Sequence, residues 1–284
     1  MKKFLKLCFV LVFLVTSGVH VSPQFTEEEI QNMEKWEEYL KTAEITGHEQ
    51  MRSREAVTSP YVLDLEKDGI SRKALWKNPE GRVKGFLEGW QWEIAAYRLN
   101  KYLGLNMVPP TVEKRFQGNR GSCQLWINAW MSLKDKYEKD ISVPPINVLH
   151  WNRCLYLQRA FDNLIANEDR HQNQYLITKD WRMLLIDHSR SFRTSRKFTR
   201  KLIYDEKYRE GSRLMKQLPR EFVEKLKSLN QDVIKEVVGE YLTDKEIEAV
   251  LIRRDLIIDW LNKRIEELGE DKVLYQRIPF PSIN

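Results

Sequence analysis

Cysteine is scarce in this chain of 284 residues: there are three, and Cys8 lies inside an N-terminal apolar run. The other two, Cys123 and Cys154, are too few for a disulfide-built scaffold, and two thiols 31 positions apart do not make a zinc site by themselves. One disulfide between them is open in an oxidising compartment. Cys154, however, falls on the apolar face of a helical pattern, where a buried thiol is the simpler reading. Glycine (12) and proline (10) are too sparse for a collagen-like or low-complexity chain, and no internal repeat is visible. Beyond the N-terminus no run of about 18 apolar residues occurs, which argues against a membrane span in the remainder. Excess charge is missing too. Of the net +6, Lys2, Lys3 and Lys6 contribute three, leaving +3, too little to argue for a nucleic-acid partner.

What the chain has is aromatic and apolar surface. With 42% hydrophobic residues, 9 Trp, 11 Tyr and 11 Phe, it can fill a core for one large domain or two lobes. Residues 1–22 have the build of a secretory signal: a cationic start, an apolar run to Val15, then Thr16-Ser17-Gly18. An exported protein is the expectation, with an uncleaved anchor as the alternative. Residues 23–57 are polar and helix-prone, with Thr26 and Glu29 in capping-box spacing, and are expected to form a helical extension. Two strands are expected at Tyr61-Val62-Leu63 and Lys73 to Lys77, a helix from about Leu87 to Tyr102, and a hairpin at Val108–Phe116 and Ser122–Ile127. From Trp130 the pattern is mostly helical, with an amphipathic stretch at Val148–Ile165, short strands at Tyr175–Ile177 and Met183–Ile186, and helix from Pro219 to about Leu268. The reading is an α+β chain with a strand-rich half over 58–130 and a helical half over 131–284.

Chemistry concentrates in the helical half. Asn167-Glu168-Asp169-Arg170-His171-Gln172-Asn173-Gln174 is a polar stretch between an apolar helix and an apolar strand, and Asp187-His188-Ser189-Arg190 follows the next strand directly. Two carboxylates at the ends of adjacent short elements suit phosphoryl transfer. Asp169 can orient and deprotonate an attacking hydroxyl; Asp187, with an amide oxygen from Asn173 or Gln174, can hold divalent ions. In the first half Lys77 ends a strand and Glu93 lies sixteen residues on, in a helix. A strand Lys paired to a helix Glu is how kinase-type folds position a cation on nucleotide phosphates.

The segments Phe161 to His171 and Leu185 to Arg193, with Trp92 to Leu99 and Leu105 to Pro109, resemble the lipid-kinase-like branch of atypical kinases. That branch includes phosphatidylinositol 3/4-kinase-like proteins and secretory-pathway kinases of casein-kinase type; the first-half stretch is similar to uncharacterised bacterial members. The resemblance covers roughly residues 58–200. It implies a two-lobed protein-kinase-like fold, ATP with Mg²⁺ or Mn²⁺, and Asp169 with Arg170 as the catalytic pair. Asp187 with Asn173 or Gln174 would bind metal, and Lys77 and Glu93 would position phosphates. Trp126, Ile127 and Asn128, within Leu125 to Trp130, would be the adenine-contacting hinge. Gln174 stands five residues after Asp169, where the lipid-kinase pattern has Asn and the secretory branch an acid. The longer side chain changes ligand reach by about 1.5 Å. A Gly-rich phosphate loop is missing, with Gly69 alone between the strands expected first.

Two other readings remain open: a catalytically inert kinase-like binding module, and a transferase of AMP rather than phosphate. The run Arg190, Arg193, Arg196, Lys197, Arg200, Lys201 either recognises an acidic substrate or is a solvated loop. His171 and His188 lack a third metal-type partner and read as structural. Trp76, Trp90, Trp92, Trp126, Trp130 and Trp151 read as core. The acceptor is a hydroxyl of protein, lipid or sugar that this sequence does not specify.

Overall fold

The computed structural model describes residues 27–51, 58–203 and 214–276. The export signal expected over residues 1–22, and Thr26 of the first capping box, lie outside them. The first long helix, α1 (Met33–Thr42), is followed by strand β1 (Glu44–Gln50). The expected helical extension is therefore corrected: its second half is the edge of the sheet. Glu44–Gln50 (EITGHEQ) has almost no apolar side chains to announce a strand, and backbone pairing with β2 (Tyr61–Lys67) holds it there. Polar side chains are what an exposed edge tolerates.

Strands β2 and β3 (Ile70–Lys77) meet at Asp68 (φ 52°) and Gly69 (φ 75°). Strands β4 (Thr111–Phe116) and β5 (Asn119–Leu125) meet at Gln117 (φ 50°) and Gly118 (φ 78°). Two consecutive left-handed residues give a turn whose twist matches the flanking strands. The five strands form one antiparallel sheet in the order β1-β2-β3-β5-β4. Lys114 ties α1 to this sheet, donating from the ammonium to Leu40 O (2.9 Å) and Ala43 O (2.8 Å) at the helix C-terminus. Helix α2 (Trp90–Tyr102) is buried on most sides, so it packs on the sheet and on the helical lobe at once. Its Ile94, Leu99 and Tyr97 share one apolar core with Leu164, Ile165, Ile234 and Ile257. A smaller core under the sheet holds Tyr39, Leu63, Leu65, Trp76, Val112 and Phe116.

The helical lobe comprises α3 (Leu133–Glu138), α4 (Val148–Ile165), β6 (Tyr175–Ile177), β7 (Met183–Leu185), α5 (Arg220–Ser228), α6 (Gln231–Val238) and α7 (Asp244–Leu268). Thr243 and Glu246 form a capping box at the start of α7. Helix α4 stops at Ala166, which takes a left-handed conformation (φ 50°), and Asn167 N–H folds back to Asp162 O at 2.9 Å. This end-cap launches the 167–174 loop toward the sheet. Cys123 and Cys154 are both buried free thiols. Trp126 (39% exposed) and Trp130 (43%) depart from the expected core placement, whereas Trp76, Trp90, Trp92 and Trp151 are buried. Among the described residues no helix is long and apolar enough to cross a membrane.

Candidate active site

Lys77, Glu93 and Asp187 come from three separate elements and meet between the lobes. Lys77 Nζ donates to Glu93 Oε1 at 2.9 Å and to Asp187 Oδ1 at 2.8 Å. Glu93 Oε2 accepts from the backbone N–H of His188 at 2.9 Å, so the helix carboxylate also fixes the chain just after Asp187. Burial alone would push the Lys77 pKa down, but the carboxylates of Asp187 and Glu93 outweigh it and hold the ammonium well above its usual range. Burial likewise works against both acids, and Lys77 outweighs it, so each stays below the ordinary carboxylate range. One cation between two anions leaves the trio at net −1. Asp187, with its side chain 37% exposed, presents that surplus.

The 167–174 loop forms the floor. Asp169 lines the same cleft, of about 410 Å³, with Lys77, Asp187, Asn173, Gln174, Leu75 and Ile186 among its walls. Burial raises the Asp169 pKa, and the guanidinium of Arg190, 3.1 Å from Oδ2, works in the opposite direction. Arg170, grouped with Asp169 by sequence, is corrected to a positioning residue. Its side chain is fully buried, ion-paired with Asp162 at 2.9 Å, and donates to Ile186 O at 2.6 Å and to His188 Nε2 at 2.9 Å. It ties the loop to Ile186 and His188, the two neighbours of Asp187. His188 is structural, as expected: burial depresses its pKa, and the neutral ring accepts from Arg170.

Gln174 lines the cleft beside Asp187. Its Oε1 accepts from His171 N–H at 3.2 Å and its Nε2 donates to Asp187 Oδ2 at 3.3 Å. Exchanging the two amide ends would set N–H against N–H, so the network fixes this orientation. The extra methylene lets the amide reach back across its own turn. Gln174 thereby orients Asp187, and its oxygen keeps one lone pair beyond the bond to His171.

Sequence reasoning missed Glu88. It is 2% exposed and reaches the chain just after Asp187 from the hairpin Glu80–Val83/Phe86–Gly89, accepting from Ser189 Oγ at 2.6 Å and from Arg190 Nε at 2.5 Å. Nothing local in Leu87-Glu88-Gly89 marks it; a buried acid is visible only beside its partners. The basic run also separates. Arg193 is paired with Glu168 at 2.9 Å and donates to Leu87 O, while Arg196, Lys197, Arg200 and Lys201 remain exposed.

The hinge side chains do not line the cleft. Ile127 packs with Met33 and Leu184. Ala129 N–H donates to Ile127 O at 3.0 Å, turning the chain at Asn128. Trp126 and Asn128 line a depression with Thr46, Asp64, Arg72 and Lys73, and all three line another with Thr178, Asp180 and Leu184. The expected adenine-contacting role of these three side chains is thereby corrected. Met51, Pro60, Leu75 and Ile186 are the apolar residues lining the cleft.

For a hard divalent cation, the fitting donor is the exposed, ionised carboxylate of Asp187 within a net-negative trio, with Asn173 at the same cleft. Among the described residues no cluster of three or more metal-type side chains exists. Mg²⁺ in general is held by one or two carboxylates, with phosphate oxygens and water completing its shell.

No protein-family profile and no curated protein matches the chain by sequence. Solved structures do match by shape. Hydra Fam20 with sugar superposes with a TM-score of 0.61 at 16% identity, covering 88% of this chain and 93% of that one. The Golgi casein kinase with Mn/ADP bound gives 0.59 at 16% identity, covering 89% and 81%, and another structure of the Golgi casein kinase gives 0.59 at 14%. The two-lobed α+β arrangement expected from sequence is thus the kinase-like fold shared with these proteins.

Proposed function

We propose that the protein is an ATP- and divalent-metal-dependent phosphotransferase of secretory-kinase type, acting on a hydroxyl acceptor. The observation that carries this reading is the Lys77–Glu93–Asp187 trio facing Asp169 across one interlobe cleft. Three elements distant in sequence have no structural need to converge on a net-negative, partly open set of charges. Lys77 would bind nucleotide phosphate oxygens, with Glu93 holding the ammonium in place. Asp187, oriented by Gln174 and Ser189 and with Asn173 nearby, would hold the metal, which supplies charge neutralisation on the phosphates. Asp169 would accept the proton of the acceptor hydroxyl as its oxygen bonds to the γ-phosphorus, while the bond to the β-bridging oxygen breaks and ADP leaves with that electron pair. The raised Asp169 pKa makes it a stronger base than an ordinary aspartate.

A secretory placement follows from the signal-like residues 1–22 and agrees with the Golgi casein kinase as a fold neighbour. The acceptor is a protein, sugar or lipid hydroxyl; Arg196, Lys197, Arg200 and Lys201 would favour an acidic one.

Calorimetric titration of ATP into the chain from about residue 24, with and without Mn²⁺, tests this reading. Micromolar, Mn²⁺-dependent binding that is lost in Asp187→Ala is expected. Absence of nucleotide binding in the unaltered protein would overturn it in favour of a binding module. Addition of AMP rather than phosphate to an acceptor, read by mass, would reassign the reaction.

A further inference from the structure

Arg190 is placed as no ordinary surface arginine would be. Its Nε donates to the buried Glu88 carboxylate, its Nη1 lies 3.1 Å from Asp169 Oδ2, and its guanidinium carbon sits 4.1 Å from the centre of the Phe86 ring. Glu88 spends its second oxygen on Ser189 Oγ, whose single proton it shares with Asp187 Oδ1, 2.6 Å and 3.1 Å away respectively. The fork is therefore clamped from the N-terminal lobe and referenced to both cleft aspartates. Its Nη2 makes no hydrogen bond to a described residue, and the side chain lines the cleft.

The chain around the phosphates sharpens the point. In kinase-type folds a glycine-rich connection between the first two strands cradles phosphates with backbone N–H groups. Here that connection is residues 51–60, between β1 and β2, and it contains no glycine. A fixed guanidinium beside Asp169 can supply planar, charge-assisted donors at the terminal phosphoryl group instead.

We propose that Arg190, held by Glu88, is the residue that binds the γ-phosphoryl group of the nucleotide. This rests on the phosphotransferase reading and names the group that distinguishes ATP from ADP. Because Nη1 touches Asp169 and Asp169 faces the acceptor, the guanidinium lies where the terminal phosphoryl sits, not the adenosine or the α-phosphate.

The test is paired calorimetry of ATP and ADP, each with Mn²⁺, on the unaltered protein and on Arg190→Gln, Arg190→Lys and Glu88→Gln, with melting curves on all four. The unaltered protein is expected to bind ATP about tenfold or more tightly than ADP. In Arg190→Gln that ratio is expected to collapse to within about threefold, with ADP affinity nearly unchanged. Arg190→Lys keeps the charge without the fork and recovers part of the ratio; Glu88→Gln reduces it by loosening the clamp. A ratio that survives in Arg190→Gln, or ATP and ADP affinities that fall in parallel in both Arg190 variants, would overturn the proposal and leave the phosphotransferase reading standing. Equal affinity for ATP and ADP in the unaltered protein would overturn it as well. No binding of either nucleotide there would defeat the underlying reading, and this inference with it.

Discussion

Lys77 sits between two carboxylates in a place where none of the three charges would be stable alone. Removing the cation leaves Glu93 buried with His188 alone for compensation, through its backbone N–H at 2.9 Å and its ring Nδ1 at 3.6 Å. Breaking a buried pair of this kind costs roughly 3 kcal/mol or more, so Lys77→Met is expected to unfold at markedly lower denaturant concentration. The pH dependence gives a sharper signature. In the unaltered protein Glu93 and Asp187 are depressed below the ordinary carboxylate range. Their contribution is present above the unfolded pKa of about 4 and is lost as pH falls through the folded values. Without Lys77, burial dominates and Glu93 moves above its unfolded pKa, so the sign reverses. Lys77→Met is expected to gain stability on going from pH 8 to pH 5, where the unaltered protein does not. Urea unfolding at the two pH values checks this, and a loss of stability in the variant at pH 5 would contradict it.

At the scale of elements, strand β5 must come very close to β3 where Lys77 stands. A Cβ on Gly121 would lie 2.5 Å from Lys77 O and 2.7 Å from the Trp76 ring. Gly121→Ala therefore has to push apart the two strands that aim the ammonium. The expected cost is about 1–3 kcal/mol of overpacking, together with weakened nucleotide binding. Gly118, in the turn at the far end of the same hairpin, has open space but a φ of +78°. Gly118→Ala is expected to cost about 1 kcal/mol from backbone strain and to leave nucleotide affinity unchanged. Measured together, the two variants separate fold stability from site geometry; equal effects on binding would refute the distinction.

Across the whole molecule, the lobes are joined at two levels. Helix α2 carries the apolar core of the helical lobe into contact with the sheet. Lys77–Asp187, Glu93–His188 N–H, Glu88–Ser189, Glu88–Arg190 and Leu87 O–Arg193 then bridge the lobes at the cleft. Arg253, buried in α7, adds support from behind by donating to Leu164 O at 2.8 Å and Arg193 O at 2.7 Å. Burial lowers its pKa to about 9. A ligand filling the cleft contacts both lobes and stabilises the native state as a unit. ATP with Mn²⁺ at 100 times its Kd is expected to add about 2.7 kcal/mol. For a chain of this size that is roughly 5–10 °C in Tm. Asp187→Ala should abolish the shift, and its persistence in that variant would place the ligand elsewhere.

By itself the sequence determined what depends on neighbouring residues. The turn ending at Gly69, the α4 and α7 periodicities and the Thr243–Glu246 box are local patterns, and each forms where its chemistry says. The second hairpin instead turns at Gln117-Gly118, earlier than a reading of Gly118 to Gly121 as the turn. Asp169 and Asp187 were legible because polar residues interrupt apolar elements at both places, and Lys77 and Glu93 because strand and helix patterns ran up to them. Tertiary structure decided what depends on distant partners. The polar strand β1 exists through pairing with β2, and Glu88 is a site residue because Ser189 and Arg190, about a hundred positions away, turn toward it. Arg170 faces inward because Asp162 is there, and Gln174 presents its N–H to Asp187 because His171 N–H claims its oxygen. Ile127 stands outside the cleft because Met33 and Leu184, both distant in sequence, pack against it. Hydrogen bonds and ion pairs reach only about 3–4 Å, so which groups meet is set by how the chain folds over them.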